Sequence, residues 1–451
     1  MKFVIIGGGP AGNQAATHAA MLGVEVTLIE RDVIGGAANL WDCIPSKAMI
    51  ATGGAMSYLR RIDGMGVVAD EGALDLELIR QRIARIVGDL EHAKEKILQS
   101  QQVEVVRGTA RMVDSHTVVA STADGERTFE ADAILLSTGS RPRVPGWAAL
   151  DGDRILATQD AYPPRVLPEH VVVIGSGVTG VEFVHLFRSL GCEVTLIVSR
   201  QQVLPQKDPE VAAVLEADFS VRGVHLLKGA RAVGVDRTPE GVNVRCDDGR
   251  VVAGSHALLA IGSVPNSEGL GLGEAGVELG AGGYVTINRH CQTNLPHIFA
   301  AGDLSGKLPL SSVASMQGRQ VAEYVVRGHT ASHRHLNYES APSAIFTEPE
   351  IADVGLAEAD AFAEGRKIRV TKVPFAASAR ALIDNDSRGF VKIITDPATG
   401  IVLGGSIVGR NASELISVLA VAVTGRLRVA DIVESMLVHP TLGEALAEAA
   451  D

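Results

Sequence analysis

The sequence predicts an α/β fold, and three observations carry that prediction. Short apolar runs at 3–6 and 171–174 each lead into a G-x-G-x-x-G turn, a helix-like segment and a second apolar run. Glycine accounts for 49 of 451 residues and aromatics for only 4%, a balance suited to many tight strand-to-helix turns. A hydrophobic content of 46% exceeds what a disordered chain carries, and the length is enough for about two to four domains.

At the first occurrence of the pattern, Gly7, Gly9 and Gly12 precede an alanine-rich helix and a strand at 24–29 that ends in Glu30. The first glycine of such a turn permits the sharp bend. The second lets a pyrophosphate approach the backbone, and the third lets helix and strand pack closely. The helix N-terminus presents unpaired N–H groups and partial positive charge to phosphate, and Glu30 can accept hydrogen bonds from a ribose. A dinucleotide site is therefore expected, against the alternative of a glycine-rich turn in an ordinary α/β protein.

The segment 35–47 reads G-G-A-A-N-L-W-D-C-I-P-S-K. Its single thiol, Cys43, stands just before Pro45, a favoured first-turn residue, so the sulfur should lie near a helix N-terminus where a thiolate is stabilised. An inert buried thiol is the alternative. An alanine methyl at position 38 can form no disulfide with Cys43. Lys47 follows four residues on, on the same helix face.

Farther along, Leu76, Ile79, Ile83, Ile86, Leu90 and Ile97 recur at helical spacing, with Arg80, Arg82, Arg85, Glu91 and Lys94 on the other face. This predicts a structural amphipathic helix. The fingerprint returns as Gly175, Gly177 and Gly180, followed by a helix and a strand at 194–198. That strand ends in Val198, then Ser199 and Arg200, so no carboxylate repels a 2'-phosphate and Arg200 or Ser199 can bind one. Arg200 as a solvated surface residue is the other reading. From about Ser340 a third module opens, with strand-like segments near 369–373, 390–394 and 402–408 and a run at 415–423 that reads as a buried helix.

A net charge of −12 argues against nucleic acid and anionic membrane as partners. No apolar run approaches the roughly 20 residues a membrane-spanning helix needs. The first residues read as a strand entering a glycine turn, not as a secretion signal. Cys43, Cys192, Cys246 and Cys291 are widely spaced without a C-x-x-C pair, which argues against a metal site or disulfide framework. A cytoplasmic protein is expected.

The 35–47 segment resembles the G-G-x-C-x-x-x-x-C-x-P-S-K motif of the flavoprotein disulfide reductases, the lipoamide dehydrogenase and glutathione reductase group. Ala38 stands in place of the family's first cysteine and Cys43 in place of the second, the flavin-contacting thiol. The resemblance spans essentially the whole chain. Ser137-Thr138-Gly139-Ser140-Arg141-Pro142 and Gly262-Ser263-Val264-Pro265-Asn266 resemble the crossings between nucleotide domains. Ala300-Ala301-Gly302-Asp303 resembles the second FAD motif, and 310–319 the helix start whose Ala314 N–H faces the flavin.

The resemblance implies two Rossmann-like dinucleotide-binding domains plus a C-terminal α+β dimerisation domain, in a homodimer. The implied boundaries are 1–148 and 267–339 for the FAD domain, 149–266 for the NAD(P) domain and 340–451 for dimerisation. FAD would be held by Gly7, Gly9, Gly12, Glu30, Gly36, Gly139, Asp303 and Ala314. NADPH or NADH would be held by Gly175, Gly177, Gly180, Ser199, Arg200 and Gly262. The family pairs Lys47 with Glu182 beside the flavin. His439-Pro440-Thr441-Leu442-Gly443-Glu444 resembles its acid–base dyad, in which Glu444 orients His439 across the dimer interface.

The motif details are similar to the lipoamide-dehydrogenase-like quinone reductases that lack a redox disulfide. They imply hydride transfer from NAD(P)H to FAD and then directly to a quinone-like acceptor. The retained His439 and Glu444 then either protonate a reduced acceptor or serve only as an interface hydrogen bond. Three other readings stand beside this one. They are a soluble pyridine nucleotide transhydrogenase, a reductase working through the Cys43 monothiol, and a non-enzymatic flavoprotein subunit.

Overall fold

The computed structural model describes residues 1–68, 72–328 and 335–451. The chain divides into two compact units. One comprises Met1–Ser46, Glu77–Arg143 and Ser263–Tyr338, the other Lys47–Leu76, Val144–Gly262 and Glu339–Asp451.

The first unit is built on a five-stranded parallel sheet, in the spatial order Ile298–Ala300, Ala133–Leu136, Lys2–Ile6, Glu25–Glu30 and Glu104–Arg107. Its inner strands are covered on both faces and so read as unbroken apolar runs: Phe3, Ile5, Ile134, Leu135 and Leu136 are fully buried. The helices Pro10–Met21 and Ser311–Arg327 cross in close contact. A Cβ on Gly318 would fall 2.1 Å from the Ala11 carbonyl oxygen, so only glycine permits the approach. A three-stranded antiparallel sheet spans residues 109–130, and Ser140–Pro142 pairs antiparallel with Ser263–Pro265.

The second unit repeats the parallel sheet, ordered His225–Lys228, Glu193–Val198, His170–Ile174, His256–Leu259 and Ile155–Ala157. It also contains a five-stranded antiparallel sheet ordered Ser343–Ile345, Glu350–Gly355, Val402–Gly409, Phe390–Thr395 and Arg369–Pro374. The helices Ala412–Gly425 and Glu444–Ala450 back that sheet over a core that includes Ile393, Ile407, Leu419 and Leu446. The chain is thus α/β, with two dinucleotide-binding folds and a C-terminal α+β region.

Two expectations need correction. The run at 415–423 lies in the helix Ala412–Gly425, but only the stripe Ala412, Ile416, Leu419 and Ala422 is buried, and Val421 is 64% exposed. A helix laid on one face of a sheet buries one stripe however apolar its other face. In the helix Leu76–Ser100 the inward line runs through Ile79, Ile83 and Leu98, with Ile97 turned out. Glu91 and Lys94, assigned to the polar face, lie on that same line: Glu91 accepts the Ile34 N–H at 3.0 Å and Lys94 donates to Asn39 Oδ1 at 3.1 Å. Specific polar partners override the hydrophobic count there.

Candidate functional site

In each parallel sheet the central strand ends in a glycine turn whose three glycines have distinct physical causes. Gly7 has φ +102°, and a Cβ there would sit 2.4 Å from the Ser137 carbonyl oxygen; one on Gly12 would sit 1.9 Å from that of Gly7. Among the described residues, and apart from its chain neighbours, a Cβ on Gly9 would meet no atom within 4 Å. The second turn repeats this: Gly175, φ +111°, would clash at 2.3 Å with the Ala260 oxygen and Gly180 at 1.8 Å with the Gly175 oxygen, while Gly177 faces open space. The protein itself therefore requires the outer glycines. The open middle positions are cradles that a side chain would fill, at the starts of the helices Pro10–Met21 and Val178–Ser189. A pyrophosphate fits that shape and that helix-end charge.

Around the first cradle, Gly36 (φ +60°) backs onto Gly9, where a Cβ would lie 2.8 Å from the Gly9 Cα. Buried Glu30 accepts the Gly8 N–H at 2.6 Å and the Asp32 N–H at 2.8 Å, so it shapes the loop and retains lone pairs able to accept further hydrogen bonds. Asp303 accepts a 2.7 Å bond from the Ser140 hydroxyl, and Gly139, φ +70°, faces open space. Ala314 departs from expectation: its N–H donates to the Leu310 carbonyl at 2.9 Å, closing the first helical turn. Helix geometry instead leaves the amides of Ser311, Ser312 and Val313 without intrahelical acceptors.

Cys43 is the first residue of the helix Cys43–Leu59, as expected, and its Sγ lies 3.6 Å from the hydroxyl of Ser311, the first residue of another helix. The sulfur is half-buried between two positive helix ends. The other thiols differ. Burial pushes Cys192 and Cys291 up to about 12 and raises Cys246 too, which makes them inert.

In the second unit Lys47 Nζ donates to Glu182 Oε2 at 2.9 Å. The Glu182 side chain is 6% exposed and that of Lys47 32%. Phe346, which no sequence signal identified, completes the arrangement: its N–H donates to Glu182 Oε1 at 3.0 Å and its ring lies 4.9 Å from Lys47 Nζ. His439 Nδ1 lies 2.7 Å from Glu444 Oε1, and the second Glu444 oxygen accepts the Thr441 N–H at 2.9 Å. The Thr441 N–H and the His439 ring together hold the Glu444 carboxyl below the usual carboxylate range. Ser199 and Arg200 stand exposed just beyond the strand Glu193–Val198, and the Arg200 guanidinium makes no ion pair among the described residues. Gly262 has φ +88° and open space where a Cβ would be.

Gln317 was also missed. Fully buried, it accepts the Gly302 N–H at 2.7 Å and donates to the Tyr338 hydroxyl at 2.9 Å, which ties the turn bearing Asp303 to the helix Ser311–Arg327. Among the described residues no helix is long and apolar enough to cross a membrane.

Residues 1–318 match the family model for pyridine nucleotide-disulphide oxidoreductases, and residues 341–450 match the model for their dimerisation domain. A protein of Mycobacterium tuberculosis named NAD(P)H dehydrogenase (quinone) is 43% identical over 461 residues, covering 100% of this chain and 93% of the relative. A dihydrolipoyl dehydrogenase of Bacillus subtilis is 34% identical over 453 residues, covering 99% and 95%. The crystal structure of LpdA from Mycobacterium tuberculosis matches with a TM-score of 0.95 at 41% identity, over 100% of this chain and 99% of that one.

Proposed function

The chain belongs to the pyridine nucleotide-disulphide oxidoreductases, and from that membership we propose that it is an NAD(P)H:quinone oxidoreductase that works without a redox-active disulfide. It is a flavoprotein oxidoreductase, and FAD and NAD(P)H are its family's cofactors. The observation that carries the proposal is Ala38. With a methyl group where a partner thiol to Cys43 would stand, no 38/43 sulfur couple exists to relay electrons.

The bound flavin supplies two-electron transfer between nicotinamide and acceptor. The cradle around Gly9 and Gly36, with Glu30 and Asp303, is assigned to FAD. That around Gly177, with Ser199, Arg200 and Gly262, is assigned to NAD(P)H, the exposed arginine accommodating a 2'-phosphate so that both nicotinamides serve. Lys47, fixed by Glu182, positions the nicotinamide. His439, held at Nδ1 by Glu444, keeps Nε2 to deliver a proton to the reduced acceptor, in a homodimer formed through the dimerisation domain. The proposed domains are 1–148 with 267–339, 149–266 and 340–451, in a cytoplasmic protein.

Anaerobic titration with NADPH, then mixing with benzoquinone, lipoamide or thio-NAD, tests the reading. Fast reoxidation by the quinone, slow reaction with the disulfide and modest transfer to thio-NAD are expected. Brisk lipoamide reduction with no quinone turnover would overturn it, and preferential transfer to thio-NAD would make the protein a transhydrogenase.

A further inference from the structure

The geometry points to Gly53 as the positioning residue that sets the reach of Lys47 to Glu182, an inference that rests on the role proposed for that pair. Lys47 and Gly53 lie on the helix Cys43–Leu59, six residues apart; Glu182 and Ser189 lie seven apart on the helix Val178–Ser189. The ion pair and the Gly53–Ser189 contact are therefore two crossings between the same two helices. At the second crossing there is no slack. A Cβ on Gly53 would sit 3.0 Å from Ser189 Cβ, 3.7 Å from its Oγ and 3.8 Å from Leu186 Cδ1.

Ser189 has nowhere to go. It is fully buried, its hydroxyl accepts from Arg222 Nη2 at 2.8 Å, and its carbonyl accepts from Arg60, which extends from the far end of the Lys47 segment. Arg222 is held in turn by the His185 carbonyl at 3.3 Å and by Asp218 at 3.3 Å. Alanine at 53 therefore requires a give of a few tenths of an ångström and a larger side chain more, and with Ser189 held the shift falls on the Lys47 helix. Glu182 cannot follow, because the Phe346 N–H holds its other oxygen. Gly54, the next residue on the same helix, would place a Cβ in open space, which makes it a matched control for loss of a helical glycine.

The test compares Gly53→Ala, Gly53→Val, Gly54→Ala, Glu182→Gln and the double variant Gly53→Ala/Ser189→Gly, all loaded with FAD. Flavin reduction by NADPH should slow roughly 10- to 100-fold in Gly53→Val and less in Gly53→Ala. It should be unchanged in Gly54→Ala and recover in the double variant, while reoxidation by benzoquinone stays within about twofold in the Gly53 and Gly54 variants. In a second readout independent of turnover, acylation of Lys47 followed by mass spectrometry should quicken several-fold in the Gly53 variants but not in Gly54→Ala. A contact that matters only for folding would lower the melting temperature and leave both readouts untouched, which overturns the inference. If Glu182→Gln reduces its flavin at the wild-type rate, the role of the pair itself fails. If Glu182→Gln is slow and neither Gly53 variant is, only the assignment of Gly53 fails.

Discussion

Glu182 is the anchored member of its ion pair with Lys47, and Lys47 is the freer one. The carboxylate is buried and bonded at both oxygens, to the ammonium at 2.9 Å and to the Phe346 N–H at 3.0 Å, whereas about a third of the lysine side chain meets solvent. Deleting one member of such a pair costs most when the charge left behind is the buried one. Lys47→Met should therefore lower stability by about 1–3 kcal/mol, and Glu182→Gln, which frees an ammonium able to turn outward, by less than about 1 kcal/mol. Urea unfolding of the two variants checks the order. NADPH oxidation should fall in both.

The exposed guanidinium of Arg200 beyond Val198 predicts the nicotinamide preference. A charge-assisted hydrogen bond to a phosphate contributes about 1.5–3 kcal/mol, so Arg200→Ala should raise KM for NADPH roughly 10- to 100-fold. KM for NADH should stay within about twofold. An equal rise for both would place the arginine outside the 2'-phosphate site.

Cys43 supplies the comparison between direct and thiol-mediated transfer. Its sulfur rests 3.6 Å from Ser311 Oγ at two helix starts, a placement that holds whether or not the thiol reacts. Cys43→Ala should keep quinone turnover within about fivefold of wild type, because a sulfur that only borders the reacting group contributes a modest electrostatic effect. Loss of nearly all turnover would favour the monothiol mechanism.

His185 makes stability depend on pH. Burial, with Arg222 and Arg388 close by, holds its imidazole well below the ordinary 6.5. The unfolded chain then binds a proton that the folded one refuses, so stability is level above about pH 6.5. As the pH falls through that value it declines, at up to about 1.4 kcal/mol per pH unit from this one group. Urea midpoints between pH 7.5 and 5.5 should show the decline, and His185→Gln should flatten it by about one proton's slope.

The parts of the molecule that were legible in the sequence are those governed by neighbours in the chain. The turns at Gly7 and Gly175 follow from apolar strand, glycine spacing and helix, and their positive φ is a local necessity. The antiparallel strands near 369–373, 390–394 and 402–408 were visible for the same reason. The pairing of Lys47 with Glu182 was readable only through family resemblance, since 135 residues separate them. Phe346 was unreadable, because the group it gives to Glu182 is a backbone N–H, which every residue but proline carries, and its ring meets Lys47 across about 300 residues of chain. Ile97 and Leu98 exchanged roles because both are apolar, and periodicity over 25 residues cannot resolve a one-residue rotation when polar side chains also turn inward.

The vacancy beside the Cα atoms of Gly9 and Gly177 bears on any effort to toughen this protein. Their φ angles of −65° and −75° suit alanine, and beyond their chain neighbours no described residue lies within 4 Å to resist a methyl group. Alanine at a compatible backbone position usually raises stability by about 0.4–1 kcal/mol, by restricting the unfolded chain. A thermal screen run on cofactor-stripped protein would thus reward Gly9→Ala and Gly177→Ala, and each round of improvement would carry forward molecules that melt later and no longer accommodate a dinucleotide.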